Sequence, residues 1–243
     1  MARREPLAAA RLGHVTGPDR ALAEAVRTAL AEVSDPQRAP AMQAYMKSAM
    51  PFRGAPKPVQ VAALRPVLAA HPVSDRATWE ATVRALYDEA EYREERYAAL
   101  ALLAVRSATR WYDPDLVPLL EHLVVTGAWW DLVDDVAGHQ VAPIHRAHPE
   151  AMAPVVRRWS AHGDLWLRRT AILSQLGSGL ATDRQLLTDV IEANVASREF
   201  FHRKAIGWAL RDLAWKDPAW VTAFVAAHPD LSSLSRREAL KNL

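Results

Sequence analysis

The chain has 243 residues, half of them hydrophobic, no cysteine and a formal net charge of +2. That is enough apolar material for a substantial core, as one large unit or two small ones. The missing cysteines exclude a disulfide framework, a thiol nucleophile and a cysteine-type zinc site. The longest apolar run, residues 98–105, is eight residues, well short of the roughly 18 needed for a membrane span. The opening Met1–Pro6 carries positive charge without the apolar stretch of a secretion signal. A cytoplasmic protein is therefore expected.

In chain order, the spacing predicts a loosely ordered start over residues 1–17, then a first helix carrying Leu22, Val26 and Leu30 on one face. Ser74-Asp75 reads as the start of a helix that includes Val83, Leu86 and Tyr87. Another carries Leu100, Leu103 and Ala104. Further starts are legible at Asp113-Pro114, Asp183 and Asp217-Pro218. Prolines 36, 51, 56, 72, 114, 143, 149, 218 and 229 are expected between helices. His139, His145 and His148 are expected around a loop at the surface, without metal-ligand spacing. No metal and no cofactor is expected.

Valine, isoleucine and threonine are too scattered for strands, and no Asn-Gly or Asp-Gly hairpin signal occurs. The expectation is an all-α chain of about a dozen helices, each roughly 10–18 residues long, joined by short turns. Antiparallel pairs recurring about every 35–45 residues suggest an α-solenoid of HEAT-like repeats with a concave inner groove. A helical bundle shares the patterning but suits a dozen short helices less well. With no linker or low-complexity tract, residues 1–243 read as one domain.

Charge is unevenly distributed. Residues 1–150 hold 17 Lys/Arg against 19 Asp/Glu, a net of −2, and residues 151–243 hold 13 against 9, a net of +4. The positive excess falls in clusters: Arg157-Arg158, Arg168-Arg169, Arg203-Lys204 with Arg211, and Arg236-Arg237 with Lys241. Such clusters could line a phosphate-binding surface, or could be ordinary helix-surface charge.

The segment Trp129-Trp130-Asp131-Leu132-Val133-Asp134-Asp135 carries the densest chemistry. At helical spacing Trp130 and Asp134 are i and i+4 and share a face. An aromatic face beside a carboxylate suits a reaction that develops positive charge. The same residues also fit a half-buried amphipathic helix with an acidic edge.

Seven blocks in order carry a family resemblance over about residues 20–243. They are Ala44–Lys47 with Pro51-Phe52; Glu95–Ala98; Trp129–Asp131 with Val133-Asp134; Trp166–Arg169 with Ala171–Leu173; Glu199–Phe201; Lys204–Arg211; and Leu234–Ala239. The chain resembles the DNA-alkylation-repair glycosylases built from HEAT-like repeats, the AlkD family. The resemblance implies that Asp134, Trp130 and Trp208 line the catalytic cleft and that Arg169 contacts a DNA phosphate. It places Phe200, Phe201 and Arg211 at the DNA-facing surface and Tyr45 at the N-terminal edge of the same groove. Lys204, Arg236 and Arg237 join the candidate DNA-binding set. The implied partner is duplex DNA containing alkylated purines, bound by a monomer in a bacterial cytoplasm.

The residues fit that chemistry. Alkylation at N3 or N7 makes a purine cationic and a good leaving group, so little acid catalysis is needed. An aspartate near its unperturbed pKa of about 4 is ionised at neutral pH and can stabilise the sugar cation and orient water. Two indole faces can cradle a cationic nucleotide. No amine is obviously placed for a Schiff base, with Lys204 the nearest, which favours a hydrolytic, monofunctional enzyme over a lyase. The family is thought to leave the lesion unflipped, which implies tolerance of bulky adducts, including those of self-resistance systems. Two other readings stay open: a non-enzymatic solenoid that binds a protein partner in its groove, and a DNA-damage binder without catalysis.

Overall fold

Carboxylates placed just ahead of apolar-periodic stretches set the frame of the fold. Asp19, Asp75, Asp164, Asp183 and Asp217 each accept a hydrogen bond from a backbone N–H of the first helical turn that follows, satisfying donors a helix start leaves open. Asp113 does the same for a short 3₁₀ turn that leads into the next helix. In a computed structural model, described over residues 17–243, every regular element is helical. The expected loose start over residues 1–17 falls almost wholly outside the described residues.

Fourteen α-helices follow one another among the described residues. They are α1 (Arg20–Glu32), α2 (Ala39–Met46), α3 (Lys57–Ala70), α4 (Arg76–Asp88), α5 (Arg93–Leu103), α6 (Val117–Gly127), α7 (Trp130–Val136), α8 (Ala142–Ala147), α9 (Pro149–Ser160), α10 (Leu165–Leu173), α11 (Arg184–Glu192), α12 (Phe200–Ala214), α13 (Pro218–Ala227) and α14 (Ser233–Ala239). They run from 6 to 15 residues, so several are shorter than the spacing predicts. Proline accounts for part of this. Pro118, Pro149 and Pro218 occupy first-turn positions, where no N–H is needed. Pro143 does not lie between helices as expected. It is the second residue of α8, directly after a π-helical turn at 137–141 that continues α7. Without an N–H, Pro143 cannot complete the α-helical ladder at that point, and π turns of this kind collect near functional sites.

The helices stack in two layers. α4 packs on α5, α6 on α7, α9 on α10 and α13 on α14. Along one layer α5 meets α7, α7 meets α10, α10 meets α12 and α12 meets α14. The starts of these five helices, at residues 93, 130, 165, 200 and 233, lie 33–37 positions apart. This is an α-solenoid whose period sits at the lower edge of the expected range. One continuous apolar core runs through the stack from Leu22 to Ala239, with Trp79, Tyr87 and Trp159 among its largest fully buried side chains. No helix among the described residues is long and apolar enough to cross a membrane.

Two glycines are required by close packing. A Cβ at Gly207 would stand 2.4 Å from the Cβ of Glu238 and 2.8 Å from the carbonyl oxygen of Ser235, so glycine lets α14 lie tightly against α12. Gly54 has φ +86°, and a Cβ there would fall 2.0 Å from the carbonyl oxygen of Asp35. The same loop is held by buried Glu94, whose carboxylate accepts the N–H groups of Arg53 and Gly54, both at 2.9 Å.

Candidate active site

The cleft lies between α7, α10 and α12, in the layer where successive repeats meet. It measures about 250 Å³ and is lined by Trp130, Asp134, Arg169, Phe200, Phe201, Lys204, Trp208 and Arg211. Trp130 and Asp134 come from one face of α7. Lys204, Trp208 and Arg211 are i, i+4 and i+7 of α12 and share its inward face. Eight of the eleven residues singled out from the sequence thus meet in one cavity.

Asp134 and Arg169 form its centre. The guanidinium donates Nε–H to Oδ1 at 2.7 Å and Nη2–H to Oδ2 at 2.8 Å, a bidentate pair. Its third donor, Nη1–H, reaches the carbonyl oxygen of Phe201 at 2.5 Å. Arg169 is 3% exposed. Burial pushes the Asp134 carboxyl above its ordinary value, and the hydrogen bonds and charge of Arg169 oppose that rise. One sequence expectation is corrected here. Asp134 does not sit at an unperturbed pKa, because it is largely desolvated. Arg169, expected at a DNA phosphate, commits three of its five N–H donors inside the protein and holds the carboxylate in place.

The aromatic wall is built from behind. Phe201 packs against Trp166 at 4.9 Å and Trp129 at 5.5 Å between ring centroids, and Phe200 meets it edge-on at 5.4 Å. Trp129 is therefore a support for the wall, while Trp130 faces the cleft. Phe200, at 58% exposed, is left open to an approaching ligand.

On the far side, Glu238 of α14 joins the two cleft-lining cations of α12. Lys204 Nζ lies 2.7 Å from its Oε1, and Arg211 Nη1 donates to its Oε2. These contacts hold Glu238 below the usual carboxylate range, the hydrogen bond from Lys204 contributing most.

Tyr45 lies outside this cleft, in a neighbouring one of about 310 Å³ that shares Trp130 and also includes Phe52, Tyr97 and Asp131. A third cavity of about 520 Å³ shares Lys57, Gln60 and Tyr97 with the second and reaches Asp135 and His139. The three form one run of open space along α3, α5, α7 and α12. Five cationic side chains (Lys57, Arg65, Arg169, Lys204, Arg211) line it against three aspartates, an excess of two positive charges. Tyr45, 78% exposed, lines the middle cavity of this run.

Arg236 and Arg237 are not part of the groove lining. Arg236 turns back to donate to the carbonyl oxygens of Val225 and His228 at 3.1 and 3.2 Å, closing the end of α13. Arg237 is exposed and away from the three cavities. His145 is buried, with Nδ1 at 3.3 Å from the carbonyl oxygen of Ser174, which corrects its expected surface position.

Two supporting residues escaped the sequence reading. Arg93 and Tyr97 of α5 both reach Asp131, the guanidinium with Nη2–H at 2.5 Å and the phenol at 2.5 Å. Asp131 is thereby tied to the preceding repeat, while Asp134 is tied to the following one. The signal was present as opposite charges one repeat apart: Arg93 and Asp131, Asp134 and Arg169, Lys204 and Glu238.

Among known proteins, the sequence profile of a family described as DNA alkylation repair enzyme matches residues 26–243. A solved structure from Enterococcus faecalis, named a predicted DNA alkylation repair enzyme, superposes with a TM-score of 0.78 at 28% identity, covering 86% of this chain and 96% of the other. No functionally curated protein matches the chain.

Proposed function

The chain belongs to the DNA alkylation repair enzyme family, and from that membership we propose that it is a monofunctional DNA glycosylase. Its substrates are duplex DNA carrying cationic N3- or N7-alkylated purines, and its action is hydrolysis of the N-glycosidic bond without flipping the base. It works as a monomer in the cytoplasm. The observation that carries this reading is the Asp134 carboxylate, held by Arg169 in one cleft with the indoles of Trp130 and Trp208 and with further cations.

The chemistry follows from charge. As the bond from C1′ to the purine nitrogen lengthens, the electron pair passes to the base, neutralising its formal positive charge, and the sugar becomes an oxocarbenium ion. A carboxylate fixed beside C1′ stabilises that cation and can orient water to attack it. The products are the neutral alkylated base, an abasic sugar and one proton. Burial makes the carboxylate electrostatically effective but also disfavours its ionised form. Arg169 offsets that penalty through two N–H donors without protonating the carboxylate, since a guanidinium stays charged in this pH range. The indole faces favour a cationic nucleotide over a neutral one.

An unflipped base suits the geometry. The cleft of about 250 Å³ is small beside an ordinary ligand pocket, and Phe200 on its lining is 58% exposed. Because the base stays outside, bulky adducts on the alkylated nitrogen fit the same mechanism as a methyl group. The direct test is incubation with duplex DNA containing 7-methylguanine and detection of free base by mass spectrometry. Release of 7-methylguanine is the expected result; intact substrate at saturating protein would remove the reading.

A further inference from the structure

Glu238 lies one repeat beyond Lys204 and is held against α12 by the missing side chain of Gly207. Its carboxylate spends one oxygen on Lys204 and the other on Arg211, yet Glu238 does not itself line the cleft. Its side chain is 12% exposed, against 39% for Lys204 and 22% for Arg211. It therefore grips both cations from behind and leaves their remaining N–H donors free to face the cleft. Lys204 and Arg211 flank Trp208 on the same helical face, so one carboxylate fixes the group on both sides of that indole.

We propose that Glu238 is a positioning residue for base excision: it acts through Lys204 and Arg211, holding them as a rigid pair that seats the backbone phosphates beside Trp208 and so brings C1′ of the lesion to Asp134. This rests on the glycosylase reading above. A lysine and an arginine on one solvated face each lose several rotatable bonds when they bind phosphate. Anchoring both to a buried acid removes that freedom before DNA arrives and narrows the geometries that follow. The anchor also cancels one positive charge in a DNA-facing surface. Non-specific affinity is thereby lowered, since each phosphate neutralised by a cation contributes to binding.

The two effects have opposite signs, which makes the role measurable. Glu238→Gln keeps the shape and one hydrogen-bond acceptor but removes the charge. Single-turnover excision of 7-methylguanine from saturated complex is expected to fall about tenfold, equivalent to about 1.4 kcal/mol of barrier. Affinity for undamaged duplex is expected to be equal or tighter, with a steeper salt dependence. In a double-mutant cycle, Glu238→Gln added to Arg211→Gln should cost much less than it does alone, because its effect passes through that side chain. A purely structural staple would instead weaken binding and lower the melting temperature without slowing excision from the saturated complex, and that outcome would overturn the proposal. So would unchanged excision, or full additivity with Arg211→Gln. If Glu238→Gln does not fold, Glu238→Asp, which shortens the reach and keeps the charge, is expected to show the same excision defect. Wild-type protein that releases no base removes the glycosylase reading and this role together; active wild type with an unaffected variant removes this role alone.

Discussion

Asp134 and Arg169 stand 35 positions apart in sequence, one repeat from α7 to α10, and meet through parallel hydrogen bonds of 2.7 and 2.8 Å. The stacking that builds the solenoid thus pairs the cleft carboxylate with a cation from the next repeat. The charge of Asp134 is the first thing to test. Asp134→Asn keeps the side-chain shape and one acceptor for Arg169 but cannot oppose a sugar cation. Excision is expected to fall by about two to three orders of magnitude, the usual cost of one electrostatic group at a transition state. DNA affinity should change little. Single-turnover release of 7-methylguanine together with duplex titration separates the two, and near-full activity would sink the assignment.

Removing the partner has a different signature. Arg169→Ala leaves a desolvated carboxylate without its cation, so the protein should lose about 3–5 kcal/mol of stability. Asp134 should then hold its proton to higher pH. Because Arg169 is engaged within the protein, the slope of DNA affinity against salt should stay close to wild type in the folded variant. A slope lowered by about one unit would show that Arg169 gives up its internal partners to a phosphate on binding.

For the wild type, pH gives an independent check. In the proposed mechanism ionised Asp134 is the active form, and burial raises its pKa, so excision should rise with pH through a midpoint above the ordinary aspartate range. The sign matters: activity is lost as pH falls, and it is lost earlier than for a solvated aspartate. In Arg169→Lys the single-point contact opposes burial less well than a bidentate pair, moving the midpoint further up. A pH-rate profile under single-turnover conditions, with DNA kept saturating, would show both. An acidic limb at or below the ordinary aspartate value would contradict the buried geometry.

Packing makes its own demand at Gly207. Gly207→Ala places a methyl 2.4 Å from Glu238 and 2.8 Å from a backbone oxygen, so α14 must move. A loss of about 1–3 kcal/mol is expected, as for other overpacked sites. Thermal melting would measure it, and a neutral result would mean that α14 shifts freely.

Much of this was legible in the chain because it is local. Capping carboxylates at Asp75, Asp183 and Asp217 announce helix starts through bonds to N–H groups three residues on, and those helices begin where expected. The i, i+4 pairing of Trp130 with Asp134 needs only helical geometry, and both line one cleft. Charge clusters were harder to interpret because adjacent helical residues point about 100° apart. In the pair Arg168-Arg169 only the second turns into the cleft, while the first bonds Asn194 at 2.8 Å. Arg236 likewise closes the end of α13. Which member of a pair faces inward depends on helix rotation, set by core contacts 33–37 residues away. The π turn at 137–141 was invisible for a related reason: Pro143 signals a break in the ladder, but only packing decides whether the chain turns or continues.

Lesion charge is the most discriminating variable of all. In the proposed mechanism the cleft offers one carboxylate to the sugar and two indoles to a cation, and its lining holds no second acid to protonate a neutral base. Asp131 is tied to Arg93 and Tyr97, and Glu238 to Lys204 and Arg211. Leaving-group charge must therefore come from the lesion. N3- and N7-alkylpurines should be excised, while uracil and 8-oxoguanine, neutral at their glycosidic nitrogens, should not. If the base also stays outside the cleft, a bulky cationic N3-adenine adduct should be released at a rate within about tenfold of the methyl adduct, a barrier difference of about 1.4 kcal/mol. Competition of each lesion against 7-methylguanine in one duplex sequence measures both parts. Efficient uracil release would refute the dependence on charge. Loss of every bulky adduct alongside retained methyl excision would require a wall around the base, which the open side of Phe200 does not provide.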